Sequence, residues 1–223
     1  MRIGVILAAR TGSRRLPGKA LLPMLGVPMI ALQIRRLKTS KRASEIILAT
    51  TTLRQDDVLA ATAAAEGIAV FRGSPEDLVS RYDAAAEAYE FDVVVRVTGD
   101  CPFTDGETLD LCLEACEGAV GYDLATTKPA WPRGIDYEIY PSEVMRKIAE
   151  AETLMEADRE HLTKFIYDHE DRFRIVRLLP PVEIDRRDIV FLVDAAEDYN
   201  RMKAILERAG STHARVADLI SAS

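Results

Sequence analysis

The sequence is short of cysteine, and the shortage is informative. Its 223 residues include three, Cys101, Cys112 and Cys116. An odd count, with no stretch that reads as a secretory leader, predicts a reducing, cytoplasmic setting. Cys112 and Cys116 stand four apart on an expected helix. No further ligands lie near them at zinc spacing, so they read as buried thiols. No apolar run approaches the roughly 18 residues of a membrane span, so no membrane partner is expected. Cations are also in the minority, 29 Lys and Arg against 36 Asp and Glu, for a net charge of −7. That balance speaks against nucleic acid, which calls for a broad basic face. Linkers rich in glycine and serine, internal repeats and low-complexity tracts are missing too. Residues 1–223 therefore read as one domain, and 48% hydrophobic content suffices for a sizeable core.

Two familiar phosphate-binding patterns are absent as well. The dinucleotide fingerprint G-x-G-x-x-G does not occur. The P-loop pattern fails, because five residues separate Gly12 from Gly18-Lys19-Ala20, one too many, and Ala20 has no hydroxyl for magnesium. The Asp-x-Asp of glycosyltransferases that consume nucleotide sugars fails too, since the next acid after Asp100 is Asp105.

What is present begins at the amino end. Ile3-Gly4-Val5-Ile6-Leu7-Ala8-Ala9 has the length and apolarity of a buried strand. It opens into Arg10-Thr11-Gly12-Ser13-Arg14-Arg15-Leu16-Pro17-Gly18-Lys19. Four cations, two glycines and a proline thus share one loop at the carboxyl end of a strand, where open α/β sheets bind ligands. Glycines admit a close backbone approach, and free amides with Arg and Lys suit anionic oxygen. In an acidic protein this is a local site for a small polyanion.

Strand and helix then alternate. The pattern predicts helices over residues 26–40, 56–66, 74–89 and 106–116, and strands over 45–51, 68–71 and 92–98. Ser74-Pro75-Glu76-Asp77 reads as a helix start with Ser74 as the cap. Such repeats imply right-handed crossovers and a three-layer α/β fold with a mostly parallel sheet. After Gly121 the pattern changes. Strands are expected at 122–127, 135–140 and 173–179, and helices at 142–152 and 158–169, so 122–180 reads as an inserted arm. The chain returns with a strand at 189–193 and a helix at 195–209.

Two acids are expected just beyond strand ends, Asp100 after residues 92–98 and Asp194 after 189–193. Parallel strands would bring both to the edge that carries the 10–19 loop. Magnesium favours one or two carboxylates plus phosphate oxygens and water. The set thus reads as cations for a triphosphate and two acids for the metal bridging it.

The run Ala9 to Lys19 resembles the signature loop of sugar cytidylyltransferases, the enzymes that activate 3-deoxy-manno-octulosonate and acylneuraminates among them. Arg96-Val97-Thr98-Gly99-Asp100-Cys101-Pro102, Trp131-Pro132-Arg133-Gly134-Ile135-Asp136-Tyr137-Glu138, Arg159-Glu160-His161-Leu162-Thr163 and Val193-Asp194-Ala195-Ala196-Glu197 resemble the spore coat polysaccharide branch of that group. The resemblance implies a glycosyltransferase-A-like nucleotide-binding fold and the reaction of CTP with a sugar to give CMP-sugar and pyrophosphate, with Mg2+. It implies that Arg10, Arg15 and Lys19 hold the triphosphate, that Gly12 and Ser13 shape the loop, and that Ala8, Ala9 and Thr98 border the nucleotide. Asp100 and Asp194 would bind metal. Arg133, Asp136, Glu138 and His161 would lie towards the sugar, and a homodimer is expected. One departure stands out: the octulosonate enzymes carry an acid after the Gly-Asp pair, whereas this chain has Cys101, which argues against octulosonate itself as the acceptor.

From the residues alone, other readings stay open. Every nucleoside triphosphate has the same tail, so a guanylyl- or uridylyltransferase is not separated by the loop. A non-catalytic nucleotide sensor would also keep it, but need not keep a metal clamp. His161 reads either as a sugar contact or as a packed or capping residue. Trp131 reads either as a stacking platform or as an anchor for the arm.

Overall fold

A computed structural model of the protein describes residues 1–119, 121–151 and 154–223. Its strands are β1 (Ile3–Ala8), β2 (Pro23–Met24), β3 (Val27–Pro28), β4 (Glu45–Thr51), β5 (Ala69–Gly73), β6 (Val93–Thr98), β7 (Leu124–Thr126), β8 (Glu138–Pro141) and β9 (Ile175–Arg177). Its helices are α1 (Met29–Leu37), α2 (Asp57–Ala65), α3 (Leu78–Ala88), α4 (Gly106–Glu117), α5 (Ser142–Ala149), α6 (Glu156–Glu160), α7 (Lys164–Asp168), α8 (Ala196–Ala209) and α9 (Val216–Ser221). Seven strands form one sheet in the order β5-β4-β1-β6-β8-β7-β9, and β2 and β3 make a small separate ribbon. The first four strands run parallel. β8 is antiparallel to both β6 and β7, and β9 pairs parallel to β7. This is the mostly parallel α/β sheet that the alternating pattern predicts.

The apolar runs explain the layering. Side chains alternate across a strand, so Val5 and Leu7 of β1 enter one core with α1, α4, α8 and α9, while Ile6 enters the other with α3 and α5. All three are fully buried. From β1 the chain builds β4 and β5 on one side, then crosses back to lay β6 on the other. The order therefore reverses between β1 and β6, and such a switch point opens a crevice beyond the strands' carboxyl ends.

Three local expectations are corrected. The helix expected from residue 74 begins at Leu78, capped by Asp77, whose side chain accepts from Ser80 N at 2.8 Å. Ser74 instead closes the preceding turn, its Oγ accepting from Asp77 N at 3.0 Å. The helix expected over 158–169 is two short ones, α6 and α7, broken at residues 161–163. There Leu162 is drawn into the core and the Thr163 hydroxyl bonds to Glu138 at 3.0 Å. Residues 189–193 form no sheet strand: Val190 makes only an isolated bridge to Arg133. Helix α5 ends at Ala149, and residue 152 of the expected 142–152 helix lies outside the described residues. The 122–180 stretch supplies β7, β8 and β9 to the main sheet and packs α5 against α3.

Candidate active site

The floor of the crevice is the pair of strand ends at the switch point, where Ala8 of β1 lies opposite Thr98 of β6. Gly99 follows. A Cβ there would stand 2.8 Å from the Ala9 Cβ and 3.1 Å from the Ala8 oxygen, so only glycine lets the two ends close up. Asp100 is thereby delivered over the strand ends. Its turn is held from beneath by Gln33 of α1, fully buried, whose amide donates to Thr98 O at 2.9 Å, Cys101 O at 2.8 Å and Thr104 Oγ1 at 3.0 Å. Burial pushes the Cys101 thiol well above its usual range, so it is an inert packing group here.

The 10–19 loop is tied at its neck. Thr11 donates to buried Asp56 through both its amide, at 2.7 Å, and its hydroxyl, at 2.6 Å. Gly18 N then donates to Thr11 O at 2.9 Å. Among the described residues, the amides of Gly12, Arg14 and Arg15 carry no hydrogen bond, which leaves donors free at the loop's tip.

Asp194 arrives by a route other than a strand of the sheet. Phe191 N donates to Arg133 O at 2.6 Å and Val193 N to Asp100 O at 2.9 Å. Gly134, at φ +94°, makes room for this passage: a Cβ would stand 2.5 Å from the Phe191 carbonyl carbon. The segment is pinned between the 131–134 loop and the Asp100 turn, and Asp194 emerges beside Asp100.

The two acids converge on one cation. Lys19 Nζ lies 3.1 Å from Asp194 Oδ1 and 3.5 Å from Asp100 Oδ2, and donates to Val193 O at 2.7 Å. Arg15 also reaches Asp194, at 2.8 Å. Both carboxylates face one ammonium, and one or two carboxylates beside phosphate oxygens and water is the donor set that magnesium favours. Among the described residues no third acid, histidine or cysteine completes a protein cage. A metal held here would take its remaining ligands from phosphate and water, which fits the donor set.

Three hollows meet at Thr98 and Asp100, which line them all. One of about 590 Å³ is walled by residues 8–10, 12–15, 19, 20, 98–100 and 194, and so holds every residue the sequence placed around the nucleotide. A smaller one of about 210 Å³ runs past Arg10 to Pro75, Arg81 and Glu160. The third, about 550 Å³, lies under the 128–136 loop and takes in Arg96, Lys128, Trp131, Arg133 and Asp136.

The residues expected near the sugar divide. Arg133 and Asp136 line the third hollow. Burial raises the Asp136 carboxyl, with Lys128 pulling the other way. Glu138 lies behind that wall, fully buried, bound to Arg96 Nη1 and, at 3.3 Å, to Lys128 Nζ. Tyr167 donates to it at 2.8 Å and Thr163 at 3.0 Å. Burial alone would raise its pKa, but the charges of Arg96 and Lys128 and the two hydroxyls outweigh this and bring it down to about 2. His161 caps the end of α6, exposed, and lines none of the three hollows. Its neighbour Glu160 faces the cleft instead and pairs with Arg10 at 3.6 Å. Trp131 is buried and donates to Leu178 O at 3.1 Å, so it anchors the loop while also lining the third hollow.

Sequence reasoning missed Arg81, Arg96 and Lys128. Arg96 had a visible signal, a lone charge within Val93-Val94-Val95-Arg96-Val97. Arg81 had none, being an ordinary helix position that the fold buries, its Nε unpaired among the described residues.

A family profile described as cytidylyltransferase matches residues 4–212. The chain belongs to the cytidylyltransferase family. Among the relatives of this cytidylyltransferase, the spore coat polysaccharide biosynthesis protein SpsF of Bacillus subtilis is 32% identical over 209 residues, spanning 92% of this chain and 86% of that one. A 3-deoxy-manno-octulosonate cytidylyltransferase of Anaeromyxobacter is 32% identical over 138 residues, 60% of this chain and 54% of that one. Among solved structures, a cytidylyltransferase from Leptospira borgpetersenii superposes with a TM-score of 0.92 at 32% identity, covering 99% of this chain and 93% of its own.

Proposed function

We propose that this cytidylyltransferase moves the cytidylyl group of CTP onto a hydroxyl of an acidic sugar and releases pyrophosphate, in the service of surface-glycan synthesis. The observation that carries the reading is the convergence of Asp100, Asp194 and Lys19 beside the Arg15 loop. In this reading the 590 Å³ hollow takes the triphosphate, the small hollow by Arg81 takes the base, and the 550 Å³ hollow takes the sugar. They meet at Asp100, where the α-phosphorus would sit.

The sugar hydroxyl attacks phosphorus in line. A new P–O bond forms, the bond to the β-phosphate oxygen breaks, pyrophosphate leaves with the electron pair, and the hydroxyl proton passes to solvent. Such transfer asks for positioning and charge neutralisation more than covalent help. Arg10, Arg15, Lys19 and the free loop amides of Gly12 and its neighbours hold the triphosphate, and Arg15 and Lys19 offset charge on the departing pyrophosphate. Ser13 braces the loop, its Oγ accepting from Leu16 N at 3.4 Å. Ala8, Ala9 and Thr98 present strand-end groups to the nucleoside. Arg133 and Asp136 contact the sugar. Asp100 and Asp194 would hold Mg2+, which when bound would supply Lewis-acid polarisation of the phosphate.

The reading carries a cytoplasmic setting, in keeping with three unpaired cysteines, and a homodimer, in keeping with the exposed Leu179 and Val182 at and just beyond the end of the 122–180 stretch. The test is pyrophosphate release with CTP, GTP and UTP against a panel of acidic and neutral sugars. CTP with an acidic sugar is expected to dominate. A preference for GTP or UTP, or tight CTP binding with no release across the panel, overturns it.

A further inference from the structure

The third hollow has a charged wall with a carboxylate behind it. Arg96 and Lys128 both line it, and both are held from the rear by Glu138. The carboxylate is saturated: Lys128, Thr163 and Tyr167 converge on Oε1, and Arg96 and Thr163 on Oε2. Tyr167 is itself fixed by Thr126 Oγ1 at 3.0 Å. Glu138 is 1% exposed, so it touches nothing in the hollow. Two cations facing one acid leave a surplus positive charge. Arg96 also keeps a buried Nε with no partner among the described residues. Lys128, 39% exposed, presents its ammonium to the open side. Arg133 and Arg187 add positive charge to the wall, against Asp100 and Asp136.

We infer that Glu138 is a positioning residue: it holds Arg96 and Lys128 as a preset cationic pair, and that pair receives the carboxylate of the acceptor sugar. The inference rests on the reading of this hollow as the sugar side. A buried ion pair kept only for folding needs one cation per acid and no opening. Here the second cation is half-exposed and faces a cavity of about 550 Å³. Without the charge on Glu138, Arg96 and Lys128 lose their common anchor, and the nearby carboxylates of Asp136 and Asp100 become their alternative partners.

Trp131, the single tryptophan of the chain, lines the same hollow and reports on its occupancy without turnover. The probes are nine-carbon sugar acids, each titrated by tryptophan fluorescence beside its methyl ester. The wild type is expected to bind at least one acid about tenfold or more tighter than its ester, as a charge-assisted contact should. Lys128→Met, at a half-exposed site that tolerates change, should bring acid and ester within about twofold of each other. Glu138→Gln should cut the preference at least about fivefold, and Glu138→Asp should restore part of it. A merely structural Glu138 would weaken acid and ester alike. Equal titration of acid and ester by the wild type, or a full preference in both Lys128→Met and Glu138→Gln, overturns the inference. Pyrophosphate release measured in parallel separates the two levels. Release with unchanged acid preference in the variants sinks this inference alone. Acid-selective binding without release sinks the transferase reading alone.

Discussion

Lys19 donates to Oδ1 of Asp194 at 3.1 Å although 175 positions of chain separate them, and the same ammonium lies 3.5 Å from Asp100 Oδ2. Neither carboxylate is fully buried, at 27% and 25% side-chain exposure, while Lys19 is at 13%. The cation is the least exposed of the three, and both acids reach it. Lys19 therefore offsets the charge of both acids at once.

Lys19→Ala and Asp194→Asn are each expected to lower turnover by about 10²–10³, the usual cost of one lost electrostatic contact to the reacting group. Thermal shifts separate their roles. Lys19→Ala leaves two acids facing each other, so magnesium should stabilise it more than it stabilises the wild type. Asp194→Asn removes half the clamp, so its magnesium-induced shift should nearly vanish. Turnover near wild type in either variant at saturating magnesium would count against the clamp.

Gln33 gives a second expectation. Its amide meets two carbonyls and a hydroxyl that bracket Asp100 in sequence, all within 3.0 Å. Gln33→Glu replaces that donor with a carboxylate aimed at carbonyl oxygens in a fully buried site. The expected cost is about 3 kcal/mol or more in urea unfolding, since a buried charge without a partner is added to lost hydrogen bonds. Gln33→Leu, which fills the space but donates nothing, should cost less and should still displace Asp100, lowering turnover. Equal stability of Gln33→Glu and wild type would show that the turn does not depend on this donor.

Much of this was legible in the chain. β1, β4 and β6 stand where continuous apolar runs place them, because a central parallel strand buries both faces and leaves no alternation to misread. The placing of the 10–19 loop and of Asp100 was legible for the same reason: a loop's position is given by the strand before it, and Asp100 by the strand it follows. Residues 189–193 carry an equally apolar run, and Phe191 and Val193 are indeed fully buried. Their amides, however, are spent on Arg133 O and Asp100 O, not on a neighbouring strand. Apolarity reports burial, and nothing in spacing reports who accepts the hydrogen bonds. The residues expected towards the sugar were harder still. Periodicity ran one helix through 158–169 and could not foresee that the break at Thr163 would turn Glu160, not His161, towards the cleft. Glu138, expected towards the sugar, lies behind the wall of the third hollow and does not line it. Its partners lie 42, 25 and 29 positions away, at Arg96, Thr163 and Tyr167, and only the folded chain joins them.

That wall supplies a pH dependence with a defined sign. The folded protein brings the Glu138 carboxyl from 4.5 down to about 2, with burial opposed and outweighed by Arg96 and Lys128. A depressed pKa contributes stability that is complete above the unfolded value, near 4.5, and is lost as pH falls towards 2. The gap corresponds to about 3 kcal/mol. Glu138→Gln cannot ionise, so its deficit relative to wild type should be full at about pH 6 and shrink steadily from about pH 4.5 to 3. Urea unfolding of both proteins across that range reads the charge on Glu138 together with its coupling to Asp136, because the acids away from this wall titrate alike in each. A deficit that stays constant from about pH 6 to 3 would mean that the charge on Glu138 contributes nothing to folding, and that shape alone holds Arg96 and Lys128 in place.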